Sequence, residues 1–262
     1  MNFPTDLASI LERVEGIDPI KYGKSRNFID GSVTYLSPYI SRGVISTKQV
    51  FESVLKRGFD PNSIEKFIQE LAWRDYWQQI WIHKGEQINS DLRHSQEPVN
   101  HYKMVKSIEE AATGILAIDE AIDELYETGY MHNHIRMYLA AIAGNVGRAH
   151  WFSPAKWMYY NLLDGDWGSN AWSWQWVSGS NSNKKYFANQ ENINKDCYTK
   201  QKDTFLDVNY SEFDNLEIPE QLKETVDLNL KTDLPKSDDL IIDYNSPTLI
   251  YNYYNLYPKW RN

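Results

Sequence analysis

The chain has 262 residues, of which 14 % are aromatic and ten are tryptophan, with one cysteine and a formal net charge of −9. The lone Cys197 excludes an intrachain disulfide, a cysteine-ligated zinc and an iron–sulfur cluster, and suits a reducing, cytoplasmic setting. The negative charge argues against a general nucleic-acid coat, and no stretch approaches the roughly 20 apolar residues of a membrane span.

The acidity lies mostly at the end. Residues 191–262 hold 8 Lys and Arg against 14 Asp and Glu, whereas residues 1–190 hold 19 against 22. A local basic surface on the main body therefore stays open. A buried tryptophan needs a partner for its N–H, so an excess of them asks for a reason.

The first residues carry acids and read as an amphipathic helix rather than a signal peptide. Residues 20–46 are rich in turn formers and hydroxyls. Ser37-Pro38 marks a short helix with Ser as its cap and Pro in the first position. Backbone N–H groups there, with the Thr34 and Ser37 hydroxyls, could cradle a phosphate; the alternative is an ordinary helix cap. A helix over 47–57 ends at Gly58, and Asp60-Pro61 opens a longer one to about Lys84. In it Trp73, Trp77 and Trp81 form one stripe, read as core, while Glu70 and Arg74 at i, i+4 read as a surface pair.

Residues 85–107 are polar and resist assignment. A helix over 115–128 turns Ile115, Ile118, Ala121, Ile122 and Leu125 inward, and Gly129 closes it. Asn133, Arg136 and Met137 then share a helix face. His132 and His134 point apart on that helix and no Cys or acid completes a ligand set, so no metal is expected.

A helix-like run over 154–163 is stopped by Gly165. Two acids, two amides and four tryptophans then fall within residues 164–176. Asp164, Asp166 and Asn170 can accept from hydroxyl or ring N–H donors, and the tryptophans offer a stacking wall or a route for an electron. Trp172, Trp174 and Trp176 would share one face of a strand or fan out on an irregular segment. The alternative is an acidic turn beside aromatic core residues. Residues 178–185 read as a flexible loop with two cations, and 186–245 as polar, acidic and weakly periodic. Apolar and aromatic residues return over 240–262, which is expected to dock on the body. No repeat and no Gly-rich nucleotide fingerprint is present, and strand signals are few. The chain reads as all-α: one multi-helix structural domain, with a body over 1–190 and an acidic extension over 191–262.

Four separated stretches together resemble the FAD-binding domain of the DNA photolyase/cryptochrome family. They are Leu36-Ser-Pro-Tyr39, Glu70-Leu-Ala-Trp-Arg-Asp-Tyr76, Thr128-Gly-Tyr-Met-His-Asn-His-Ile-Arg-Met137, and Asp164-Gly-Asp through Trp174-Gln-Trp176. The resemblance covers about residues 20–190, with a weaker echo over 240–262. It implies FAD held at Tyr22, Thr34, Tyr35, Leu36 and Ser37 on the phosphate and ribityl side, with Arg74, Asn133, Arg136, Asp164, Gly165 and Asp166 completing the site. Asn170 matches the residue facing the flavin N5. Glu70, Trp73, Met137 and Trp176 match residues lining the cavity that takes a flipped-out lesion in damaged DNA. Trp174 and Trp151 match the first two members of an electron relay. The third position falls near residues 98–102, where no tryptophan stands; Tyr102, Trp167 and Trp157 are the substitutes. An N-terminal α/β domain is absent from the chain, so no antenna chromophore is expected.

The resemblance thus implies light-driven splitting of cyclobutane pyrimidine dimers by electron transfer from excited reduced FAD. Photolyases for (6-4) photoproducts carry histidines where this chain has Asn133 and Met137, which favours the cyclobutane lesion. Arg26, Lys184 and Lys185 are the candidate DNA-phosphate contacts, on DNA that includes single strands. A cryptochrome-like blue-light photoreceptor is the alternative, and a scaffold without flavin a third.

Overall fold

Among the described residues, five of the eleven α-helices start on a capping side-chain oxygen. In the computed structural model, which describes residues 3–233, 236, 241 and 243–246, Asp6 caps α1 (Leu7–Glu15) and Asp18 caps α2 (Pro19–Ser25). The short α3 (Ser37–Ser41) departs from expectation: Leu36 occupies its N-cap without a side-chain bond, and Ser37 is the first helical residue. Ser46 and Gln49 form a reciprocal capping box at α4 (Thr47–Lys56). A 3-10 turn over Pro61–Ile64 leads into α5 (Glu65–Lys84).

Residues 85–107 hold a 3-10 turn, Gly85–Asn89, and β1 (Met104–Val105), which runs into α6 (Lys106–Glu109). Helix α7 (Leu116–Thr128) buries Ala117, Ile118, Ala121, Ile122 and Leu125, and stops at Gly129 with φ 71°. A Cβ on Gly129 would also lie 2.9 Å from Leu163 Cβ, so this left-handed stop needs glycine twice over. His132 Nδ1 caps α8 (Asn133–Ala141), which continues into a buried π turn, Ile142–Val146. Helix α9 (Phe152–Asn161) follows, then α10 (Trp167–Ser178), capped by Asp166 and stopped by Gly179 at φ 85°.

The tryptophan-rich stretch is therefore a helix, neither strand nor irregular. Asp166 and Gly179 fix its ends, and a two-residue step on a helix sends side chains to opposite sides. Trp172 and Trp174 enter the core, while Trp176 is 45 % exposed.

Two apolar clusters result. The smaller gathers Ile10, Val14, Leu36, Val54, Ile64 and Phe67 from the first part of the chain. The larger is built on α7 to α10 and includes Ile193 of α11 (Gln190–Cys197), Leu206, Phe213 and Leu222. Beyond them β2 (Thr225–Val226) pairs antiparallel with β1, Met104 opposite Val226. The acidic stretch as far as residue 226 is thus built into the body. Its anchors are spread along irregular chain, which leaves no period to read. The end over 240–262 lies outside the described residues, apart from 241 and 243–246. Helix α5 bridges the two clusters, packing on α2 and α4 at one side and on α10 at the other.

Leu206 is fully buried in the larger cluster. Leu206→Ala is expected to lower stability by roughly 2–5 kcal/mol within a single cooperative transition in urea. A second, separate transition would show that residues 191–226 fold apart from the body.

Candidate functional site

A cavity of about 310 Å³ opens where α5 bridges the two clusters, lined by α2, residues 33–40, α5, α8 and α10. Two arginine–carboxylate pairs dominate its polar lining. Arg136 Nη2 donates to both oxygens of Asp164 at 3.0 and 3.1 Å, while its Nε donates to the Met131 carbonyl at 2.8 Å. Asp164 is 6 % exposed. Burial by itself would raise its carboxyl pKa. The Arg136 charge, the Ser37 hydroxyl and Arg74 together outweigh that and hold it below its ordinary value. This explains why Ser37 does not cap α3: its hydroxyl is turned to Asp164.

Asp166 accepts from Gln78 Nε2 at 2.6 Å and from the Ser169 N–H at 2.7 Å, and lies 3.6 Å from Arg74 Nη1. Between the two acids, a Cβ on Gly165 would sit 2.9 Å from the Tyr159 carbonyl oxygen. Gly165 does not line the cavity; its missing side chain lets the turn bring Asp164 and Asp166 to it.

Glu70 and Arg74 are not a surface pair. Both face the cavity and each finds a partner from elsewhere in the chain: Glu70 Oε1 accepts from Arg26 Nη1, and Arg74 reaches Asp166. The tryptophan stripe of α5 is core in part: Trp77 and Trp81 are half-buried against the larger cluster. Trp73 is 48 % exposed at the cavity rim. It stacks on Trp77 at 5.1 Å, and Trp77 stacks on Trp172 at 4.9 Å. Tyr35 adopts φ 52°, a conformation that costs a non-glycine residue, with its ring 5.3 Å from that of Tyr130.

Of the residues expected to hold a cofactor, Tyr22, Thr34, Tyr35, Ser37, Arg74, Asn133, Arg136, Asp164, Asp166 and Asn170 line this one cavity. Leu36 does not; it is 1 % exposed within the smaller cluster. Glu70, Trp73 and Met137 line it, but Trp176 is carried aside by the twist of α10 and rests against Tyr186 at 5.8 Å. Asn170 is held by its Nδ2, which donates to the Ala155 carbonyl at 2.8 Å. Arg26 lines the cavity, engaged with Glu70. Lys184 is exposed and Lys185 half-buried, both away from the lining. Burial pushes the Lys185 ammonium pKa down.

Trp174 lines the cavity and is buried; Trp151 is fully buried and does not line it. Tyr102 stacks on His150 at 4.8 Å, and His150 lies 5.7 Å from Trp151. Trp167 is 6.4 Å from Trp151, whereas Trp157 donates to the Tyr126 hydroxyl. Among the described residues no cluster of three His, Cys, Asp or Glu could hold a metal ion. Desolvation holds the His132 imidazole pKa down at about 4.

Sequence reasoning missed Gln78, Ser169 and Trp77. Gln78 and Trp77 stand one turn beyond Arg74 and Trp73 on α5, so the helical repeat of the cavity face carried the signal. Ser169 had none. Its Oγ is buried in the cavity lining with no hydrogen-bond partner, a hydroxyl placed for something the protein itself does not supply.

A family model described as the FAD-binding domain of DNA photolyase matches residues 67–246. The chain belongs to the DNA photolyase/cryptochrome family. It is 30 % identical over 172 residues to the deoxyribodipyrimidine photo-lyase of Agrobacterium fabrum, covering 63 % of this chain and 36 % of that protein. It is 28 % identical over 180 residues to cryptochrome-1 of Sinapis alba, covering 62 % and 35 %. Among solved structures, a bacterial class III photolyase from Agrobacterium tumefaciens superposes with a TM-score of 0.56 at 26 % identity, over 65 % of this chain and 37 % of the other. The chain thus spans about a third of the length of the curated relatives it matches. The matched stretch starts at residue 67, so Tyr22 to Ser37 join the site through the fold. No helix among the described residues is long and apolar enough to cross a membrane.

Removing Arg136 leaves a buried carboxylate unpaired. Arg136→Ala is expected to cost about 3–5 kcal/mol, read from urea midpoints. Because folding depresses the Asp164 pKa, its stabilising contribution is whole above the unfolded value of 3.8 and is lost as pH falls through the lower folded one. Asp164→Asn should flatten the acid limb of stability below that point, and an unchanged limb would show that the pair contributes nothing there.

Proposed function

We propose that the cavity holds FAD and that the loaded protein splits cyclobutane pyrimidine dimers in light. The observation that carries this reading is that one cavity joins the polar set around Asp164, Asp166 and Asn170 to a rim made of Glu70, Trp73 and Met137. The donor set suits the group. The hydroxyls of Thr34, Ser37 and Ser169 would meet the phosphates and ribityl chain. The two acids would accept from sugar hydroxyls, and Gly165 keeps the turn beneath them narrow. Asn170, held by its amide nitrogen, would present its carbonyl oxygen to a ring N–H. When bound, the flavin supplies light absorption and the electron; the protein's task is orientation and the exclusion of water.

At the rim, Trp73 offers a half-exposed indole on which a flipped base stacks. Glu70, held by Arg26, would accept from a pyrimidine edge and stabilise charge developing on it. With Asn133 and Met137 rather than histidines beside the flavin, no side chain at those places can shuttle a proton, which favours the cyclobutane dimer. Lys184 and Lys185 would contact phosphates, binding that weakens as salt rises.

A cryptochrome-like photoreceptor is the second reading. Two observations favour it: Trp176 stands outside the cavity, and acidic chain as far as residue 226 is built into the body.

The test is a single-stranded thymine-dimer oligonucleotide with flavin-reduced protein, counting restored thymines after blue light and in the dark. Light-dependent restoration is expected. Trp73→Ala should weaken substrate binding by roughly 5- to 150-fold, the equivalent of about 1–3 kcal/mol of base stacking; Glu70→Ala should give a partial loss. No restoration with reduced FAD demonstrably bound would discard repair in favour of the photoreceptor.

A further inference from the structure

Trp151 is 0 % exposed, yet its indole N–H does not point into apolar packing. It donates to Asp91 Oδ1 at 2.8 Å. The same oxygen lies 3.3 Å from His150 Nε2, and Asp91 Oδ2 accepts from the Gln96 N–H at 2.9 Å. His150 Nδ1 accepts from the Phe152 N–H at 3.4 Å, so Nε2 is the nitrogen carrying the proton toward Asp91. The carboxylate thus gathers three N–H donors, one of them the indole of a candidate relay residue. The ring of Tyr102, 70 % exposed to solvent, is stacked on His150 at 4.8 Å.

A structural tryptophan could be satisfied by any backbone carbonyl. A carboxylate differs in that it can take the proton. An indole that has lost an electron is a far stronger acid than indole itself, and a base at 2.8 Å is within direct transfer distance. Charge left on a fully buried ring is costly, and moving the proton to Asp91 removes it from the indole.

We propose that Asp91 is the proton acceptor of Trp151 during light-driven electron supply, and that Tyr102, across His150, is the outlet through which Trp151 is re-reduced from solution. The proposal rests on the flavin reading of the cavity. Trp151 gives up one electron toward Trp174, the oxidant being a light-excited, oxidised flavin ring in the cavity. Its Nε1–H bond breaks, the proton passes to Asp91 Oδ1, and a neutral indolyl radical remains. Tyr102 then supplies an electron across His150 and loses its phenol proton to water, while Asp91 returns its proton to the indole nitrogen. The tyrosyl radical takes a hydrogen atom from a small thiol in solution, and the resulting thiyl radicals pair as disulfide.

The experiment is flash spectroscopy of the FAD-loaded full chain, following the distinct visible bands of cationic and neutral indolyl radicals. Asp91→Asn keeps an acceptor for the indole N–H but removes the base. It is expected to leave FAD uptake intact and to slow conversion of the cationic to the neutral radical by about 100-fold. The wild-type conversion should itself slow in heavy water. Tyr102→Phe, a change at an exposed ring, should leave proton transfer untouched and abolish the shortening of the indolyl lifetime by added thiol. An unchanged conversion rate in Asp91→Asn overturns the role of Asp91, and thiol quenching that survives Tyr102→Phe overturns that of Tyr102, with the flavin reading standing in either case. A wild-type protein that takes up no FAD, or shows no flash-induced radical, overturns both readings together.

Discussion

Two charges withdrawn from water where the clusters meet set the terms for everything around them. Asp164 is almost wholly buried, and a lone carboxylate there would be expensive. Arg136 answers it with one nitrogen shared between both oxygens, and is itself fixed by the Met131 carbonyl. To bring the acid into reach, the chain after α9 turns through Gly165, where no side chain fits. To complete its hydrogen bonding, Ser37 gives up the cap of α3. The second acid, Asp166, is held by Arg74 and Gln78 of α5 while capping α10. Both ion pairs thus line the cavity where the two clusters meet.

Part of this was written plainly in the sequence. Helix α7 shows its period and its glycine stop, and α1 its amphipathic text, whereas α2 reads as turn-rich loop and α10 as strand or irregular segment until Asp18 and Asp166 are seen to cap them. The residues of the cavity were found because their types, in that order, resemble a known FAD-binding domain. Propensity alone misread part of them: a Glu–Arg spacing that elsewhere makes a surface pair here separates into two long-range pairs, and an aromatic stripe read as core packs on the larger cluster at Trp77 and Trp81 but is exposed at the cavity rim at Trp73. A local rule counts neighbours on one helix, and cannot see partners supplied from 26 and 166.

The acidic stretch teaches the complementary lesson. It carries the least periodic text in the described chain, yet Ile193, Leu206, Phe213 and Leu222 are buried in the larger cluster and β2 closes on β1. Single anchors separated by irregular backbone stabilise as surely as a helix face, but they leave no repeat. Ser169 was hidden for another reason. A hydroxyl without a partner is visible only once every neighbour is in place.

The stacked indoles of Trp73, Trp77 and Trp172 carry a consequence of their own. Their ring centres follow one another at 5.1 and 4.9 Å, with interplanar angles of 16° and 21°. Electronic transitions of rings held so close are coupled and rigidly oriented, so they absorb left- and right-handed light unequally. The protein thereby contains its own optical gauge: near-ultraviolet circular dichroism reads the geometry of the cavity rim directly, with no label attached.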